Sequence, residues 1–165
     1  MKTCTLRIAT GLVLSLAALG ASAAQPTTKP IDIQGVLEEK AGPAPRCASQ
    51  FGGALAGFGK GELTGRVAFV GSDCITPSGY IFNFSDGRLT ILTLAGDQIF
   101  ATYSGQFVPT GEGSKYVFNG ATFQITGGKG RYADATGGGT LTGGEDMITG
   151  VGTIRMTGQI TFKGR

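Results

Sequence analysis

The final stretch of the chain carries the clearest pattern. Ile148, Gly150, Gly152, Ile154, Met156, Gly158, Ile160 and Phe162 alternate with Thr149, Val151, Thr153, Arg155, Thr157, Gln159, Thr161 and Lys163. One face is apolar or small and the other is largely polar. A period of two predicts a half-buried β-strand. The pattern recurs upstream, where Leu63, Val67 and Phe69 alternate with Thr64, Arg66 and Ala68. Farther on, Ile99, Ala101, Tyr103 and Phe107 alternate with Thr102, Ser104 and Gln106. Tyr80 to Phe84 is a short run between Pro77-Ser78-Gly79 and Ser85-Asp86-Gly87. Asp86-Gly87 predicts a hairpin there, with Arg88 to Ala95 as the return strand. Gly96-Asp97 and Thr110 to Gly113 read as further turns, and Tyr116 to Thr126 as another strand. No comparable window past the N-terminal segment has helical spacing.

These segments amount to about eight strands at spacings near ten residues, the mark of an all-β domain. Short turns require antiparallel neighbours, so the predicted topology is a meander. Eight such strands can close into a barrel, which removes exposed edges. The chain holds 30 glycines in 165 residues, and glycine within strands allows the tight coiling of a small barrel.

The N-terminal segment is different. Residues 1–23 read as a signal peptide: Lys2 and Arg7 are basic, Ile8 to Leu19 is mostly apolar, and Ala21-Ser22-Ala23 fits a cleavage site. A buried N-terminal helix is the plainer alternative. Residues 24–46 read as a mobile leader. They contain Pro26, Pro30, Pro43 and Pro45, with Ile31 to Leu37 as a short strand or edge contact. The barrel domain is then 47–165. Cleavage removes two cations and lowers the net charge from +3 to +1. With no basic run, nucleic acid is excluded as an expected partner. Without the signal the mature chain is not expected to span a membrane. It lacks a terminal strand aromatic and evident aromatic girdles, which argues against an outer-membrane barrel.

Cys47 and Cys74 are the cysteines left after cleavage. An even count in an exported chain points to one disulfide, closing a loop of about 28 residues and contributing roughly 3 kcal/mol. Two separate thiols are the alternative. The expected address is secreted or periplasmic. No histidine is present, so neither a closed zinc site nor a histidine-dependent triad is expected, and no cofactor is assigned.

The segment FQITGGKGRYADATGGGTLTG, Phe123 to Gly143, resembles a signature of the allene oxide cyclase-like barrel superfamily. That group includes the dirigent proteins and small secreted bacterial members. Gly127, Gly128, Gly130, Tyr132, Ala133 and Gly137 match its usual form, while Lys129 replaces a usual threonine. CASQFGG, GRVAFVGSDCITP and TYSGQFVPTG resemble the bacterial members. The resemblance spans roughly Cys47 to Phe162 and implies a closed eight-stranded antiparallel barrel, with homo-oligomers as a possible state. It carries no catalytic residue over to this chain.

Gly127 to Gly130 superficially resembles a phosphate loop. Lys129 is followed by Gly130-Arg131 rather than by serine or threonine and a helix, so the phosphate reading fails. The glycines serve a structural hairpin, with Tyr132 as its packing anchor. Acidic residues are available at Glu62, Asp73, Asp86, Asp97, Glu112, Asp134, Glu145 and Asp146. Most lie beside glycine or at predicted turns, where solvated acids belong. Arg66 and Arg155 lie in predicted strands and are expected on the outer face; either one pointing inward would become a functional candidate. Phe69, Phe82, Tyr103 and Phe123 are the candidate lining of an apolar pocket, against the reading that they are plain core. The expected function is that of a secreted, non-enzymatic barrel binding a small apolar ligand or a protein partner. The alternative is a cyclase- or dirigent-like enzyme acting on a small hydrophobic substrate inside the barrel, which needs a buried polar group there. A structural or matrix role is also open.

Overall fold

A computed structural model describes residues 25–163 of the chain. The expected signal peptide, residues 1–23, lies outside the described residues. Eight antiparallel strands close on themselves in sequence order. They are β1 (Pro26–Pro43), β2 (Phe51–Gly61), β3 (Gly65–Ser78), β4 (Ile81–Thr93), β5 (Gln98–Pro109), β6 (Lys115–Lys129), β7 (Thr136–Asp146) and β8 (Val151–Lys163). The one helical piece among the described residues is a 3-10 turn, Gly130–Tyr132, between β6 and β7. The eight-stranded meander barrel expected from the alternation is therefore the fold.

Two segments differ from the sequence reading. The expected leader is β1, the longest strand, with 18 residues. It pairs with β8 from Pro26↔Lys163 to Glu38↔Val151, and with β2 from Ile33↔Gly61 to Pro43↔Phe51. Its prolines fit because the two pairings are offset. Pro26 and Pro30 precede the pairing with β2, and Pro43 follows the end of the pairing with β8. Each proline thus sits where the strand has a neighbour on one side only, and a missing N–H leaves no gap on the other.

The second difference is at Asp86-Gly87. The pair is a bulge inside β4 rather than a hairpin. Asp86 has φ 49° and the register with β5 shifts between Phe84 and Gly87. A left-handed residue before glycine serves a bulge as well as a turn. Two predicted strands therefore merge into one, and β1 and β2 make up the number.

Inward positions form a continuous apolar core. Ile31, Ile33, Ile91, Ile99, Ile125 and Ile160 are all at most 2% exposed. Outward positions carry Thr28, Thr157, Arg66 and Arg155, all exposed, and the half-buried Thr161. Arg155 forms a two-point ion pair with Asp32, at 3.0 and 2.6 Å. Neither arginine points inward.

The two ends of the barrel differ. One end carries the turns at 62–64, 94–97 and 130–135. Tyr132 plugs it, is fully buried, and stacks edge-on against Phe162 at 5.2 Å. The Arg131 guanidinium lies 4.6 Å from the centre of the Tyr132 ring and donates to the Leu63 carbonyl at 2.8 Å. Gly137 has φ +137°, and a Cβ there would collide with the Gln159 carbonyl. The opposite end, the mouth, carries the 44–50 loop and the 147–150 turn. The Cys47–Cys74 disulfide ties that loop to β3, with Cα atoms 5.3 Å apart.

Two outcomes follow. A chain truncated to begin at Ala44 should fail to fold cooperatively, because β2 and β8 lose their shared neighbour; a sharp thermal transition for that fragment would contradict this account. Tyr132→Ala should cost about 3–5 kcal/mol of stability, the usual range for emptying a buried aromatic site, as read by denaturant unfolding.

Candidate functional site

Three carboxyl groups enter the barrel near its mouth. Glu39 comes from β1, Asp73 from β3 and Glu145 from β7; they are 6, 2 and 8% exposed. Each has a local cause. Glu39 continues the inward series Ile31, Ile33, Leu37. Asp73 sits at a bulge, where the pairing of β3 with β4 shifts between Ser72 and Cys74. The next residue, Cys74, is held by the disulfide. Glu145 lies near the end of β7, opposite Gly152.

The three are not equivalent. Asp73 is hydrogen-bonded at both oxygens: Tyr103 donates its hydroxyl to Oδ2 at 2.9 Å, and the Gly53 amide donates to Oδ1 at 3.1 Å. A side chain at Gly53 would collide with the Glu39 carboxyl, so that glycine makes room for the cluster. Burial pushes Asp73 above the usual carboxylate range, against the hydrogen bonds from Tyr103 and Gly53 and the charge of Arg46. Glu39 is pushed up to about 9, first by burial, then by the charges of Asp73 and Glu145. Glu145 is pushed up to about 7, by burial and then by Asp73. The same burial and the neighbouring Asp73 raise Tyr103, which stays a phenol. Asp73 is thus the one of the three with a hydrogen-bond donor at each oxygen; at neutral pH Glu39 keeps its proton and Glu145 titrates. Glu145 Oε2 is buried with no hydrogen-bond partner among the described residues. Among the described residues, no three acidic or thiol groups converge as metal ligands.

Two spaces adjoin the cluster. Within the barrel, Leu37, Leu55, Phe84, Leu89 and Tyr103 surround a void of about 20 Å³ with Glu39 and Asp73 on its wall. That is the scale of one water molecule, so the deep interior is packed. Above it the mouth opens into a cavity of about 320 Å³, lined by Glu39, Phe51, Ile75, Phe82, Phe107, Glu145 and Met147. Small-ligand sites begin at about this size. A larger groove of about 1090 Å³ runs over the outer face of β4 to β7, past Arg46, Arg88, Thr102, Ser104 and Gln124. None of the buried, unpartnered side chains among the described residues lines it.

The four aromatic candidates fall in different places. Phe82 lines the mouth. Tyr103 lies deeper, with its hydroxyl on Asp73. Phe69 and Phe123 are each 3% exposed and belong to the core. Phe107 and Phe118 pack edge-on at 5.3 Å beneath the mouth. Gly127 and Gly128 precede Lys129 at the end of β6, Gly130 opens the 3-10 turn and Gly137 lies in β7. Sequence reasoning placed Asp73 and Glu145 among solvated acids and Glu39 in a leader. The period-two spacing from Ile31 through Leu37 to Glu39 was the available signal.

No protein-family model matches the sequence, and no curated protein matches it either. Among solved structures, the chain is similar to a pterocarpan synthase dirigent protein. The identity is 12%, the TM-score is 0.49, and the match covers 93% of this chain and 98% of that one.

The raised acids set a pH dependence. An acid whose folded pKa exceeds its unfolded value of 4.5 binds more protons when folded. Stability is then fully present below that value and is lost as pH rises toward the folded pKa. Thermal unfolding should therefore move to lower temperature between about pH 5 and about pH 9, at up to roughly 1.4 kcal/mol per pH unit per group. Glu39→Gln should flatten most of this slope. An unchanged slope in that variant would place the titrating group elsewhere.

Proposed function

We propose that this barrel binds a small amphipathic molecule at its mouth, with an apolar body against Phe51, Ile75, Phe82 and Met147 and a polar end toward Glu145. The observation that carries the reading is the Glu145 oxygen left buried and unpartnered beside a ligand-sized cavity. A buried acceptor without a partner costs roughly 1–3 kcal/mol, and a bound donor recovers it. The address that fits this reading is extracellular or periplasmic, supported by the disulfide. The interior is apolar, whereas the interior of a membrane barrel is polar.

A second reading is favoured by one observation: Glu39 keeps a proton beside the Tyr103–Asp73 pair. A buried acid that remains protonated at neutral pH suits general acid catalysis. Under that reading the barrel is a cyclase- or dirigent-like enzyme, and the molecule at its mouth is a hydrophobic substrate.

One experiment addresses both. Amide spectra of the protein titrated with a panel of small amphipathic molecules should show shifts confined to the mouth strands and the 147–150 turn. Met147→Trp should abolish those shifts without lowering the melting temperature. Shifts confined to the outer groove, or absent across the panel, would overturn the binding reading. Conversion of a bound molecule by the native protein but not by Glu39→Gln would establish the enzymatic one.

A further inference from the structure

The polar end of the ligand can be specified, on the assumption that the mouth is the binding site. The charges around it are unbalanced. Glu39 faces the cavity from β1 and Glu145 from β7, with Asp73 of β3 behind them. Tyr103 of β5 is neutral and already committed to Asp73. The cations nearby have other partners. Lys40 lines the rim of the cavity, where its ammonium is held by Glu38 at 2.8 Å and donates to the Thr149 carbonyl at 3.5 Å. Arg46 lies outside the barrel wall, donating to the Asp86 carbonyl at 3.2 Å and the Ser72 hydroxyl at 3.3 Å. Asp146, next to the mouth, accepts from Ser114 and from the amides of Ile148 and Thr149.

The mouth therefore presents carboxyl groups and a buried lone acceptor, and neither Glu39 nor Glu145 forms an ion pair with a cation of the described residues. Aromatic rings complete the lining, since Phe82 and Phe107 both reach the cavity. Ring faces and carboxylates attract the same kind of ligand, a positively charged nitrogen.

We propose that the mouth is a site for an organic ammonium ion carrying an apolar or aromatic tail, its nitrogen donating to Glu145 and Glu39 and its tail lying against Phe82 and Met147. An organic cation fits better than a metal because, among the described residues, no three acidic or thiol groups converge as ligands. The ammonium also offsets the charge that Glu145 takes on beside Asp73. Binding near neutral pH then releases a proton from Glu145, and affinity rises as Glu145 ionises.

Three probes of one frame test this: phenylpropylammonium, phenylpropanol and phenylpropionate, titrated into the full barrel by calorimetry and followed by amide shifts. The ammonium should bind at least about tenfold more tightly than the alcohol, a difference of about 1.4 kcal/mol, and the carboxylate should not bind. In buffers of different ionisation heat, the ammonium should release protons near neutral pH. Glu145→Gln should abolish both the preference and the proton release, and its melting temperature should not fall, because a buried charge has been removed. Should that variant fail to fold, Met147→Trp should still abolish ammonium binding by filling the mouth. Equal binding of ammonium and alcohol at the mouth would overturn the ammonium assignment and leave mouth binding intact. Shifts from none of the three probes would overturn both.

Discussion

Everything in this molecule depends on β1 lying between β2 and β8. An eight-stranded sheet that stays open leaves two rows of unpaired amides and carbonyls and a core exposed along one seam. β1 closes that seam from both sides, with its first half on β8 and its second half on β2. The offset tilts the strand and makes prolines at its two ends harmless. The same strand supplies Ile31, Ile33 and Leu37 to the core and then Glu39 to the mouth. Closure and site are thus made by one segment, and neither exists without it.

Once closed, the barrel differs from end to end. Tyr132, Phe162 and the Arg131 guanidinium fill one end. At the other end the disulfide ties a loop to the β3 bulge. A regular strand alternates, so Asp73 and Cys74 cannot both be buried on one pleat without an irregularity. The bulge, together with the loop covering Cys74, buries them in succession. The bond that closes the loop therefore lies beside the bulge that aims the central carboxylate.

Strand type, antiparallel order and barrel closure were legible because each rests on local alternation and on short turns. The misread parts share a cause: the same local chemistry serves two architectures. Asp86-Gly87 has the composition of a turn, and only the pairing of Phe84 with Gly105 and of Gly87 with Tyr103 reveals a bulge within one strand. Four prolines near the start suggested a mobile leader, because the sequence does not show that the strand is paired on one side at Pro26, Pro30 and Pro43 and has ended before Pro45. The site was hidden for a related reason. Asp73 and Glu145 sit beside the glycines and polar residues that mark solvated turns, and their burial follows from a bulge and from closure. Only Glu39 left a trace, as the polar member of an apolar series.

Stability does not account for the acid cluster. Three carboxyl groups brought into an apolar barrel are costly, and apolar side chains of similar size often stabilise such positions. Asp73 is largely compensated by Tyr103 and Gly53. Glu145 is not, since one of its oxygens lacks a partner among the described residues, and Glu39 avoids the cost by keeping its proton. Placed in the packed interior, such a residue would be a defect. These two instead line a cavity of ligand size at the mouth, at the end left open where the other is plugged. Uncompensated polarity at an opening, beside full compensation one layer deeper, is the distribution expected when the missing partner is a bound molecule.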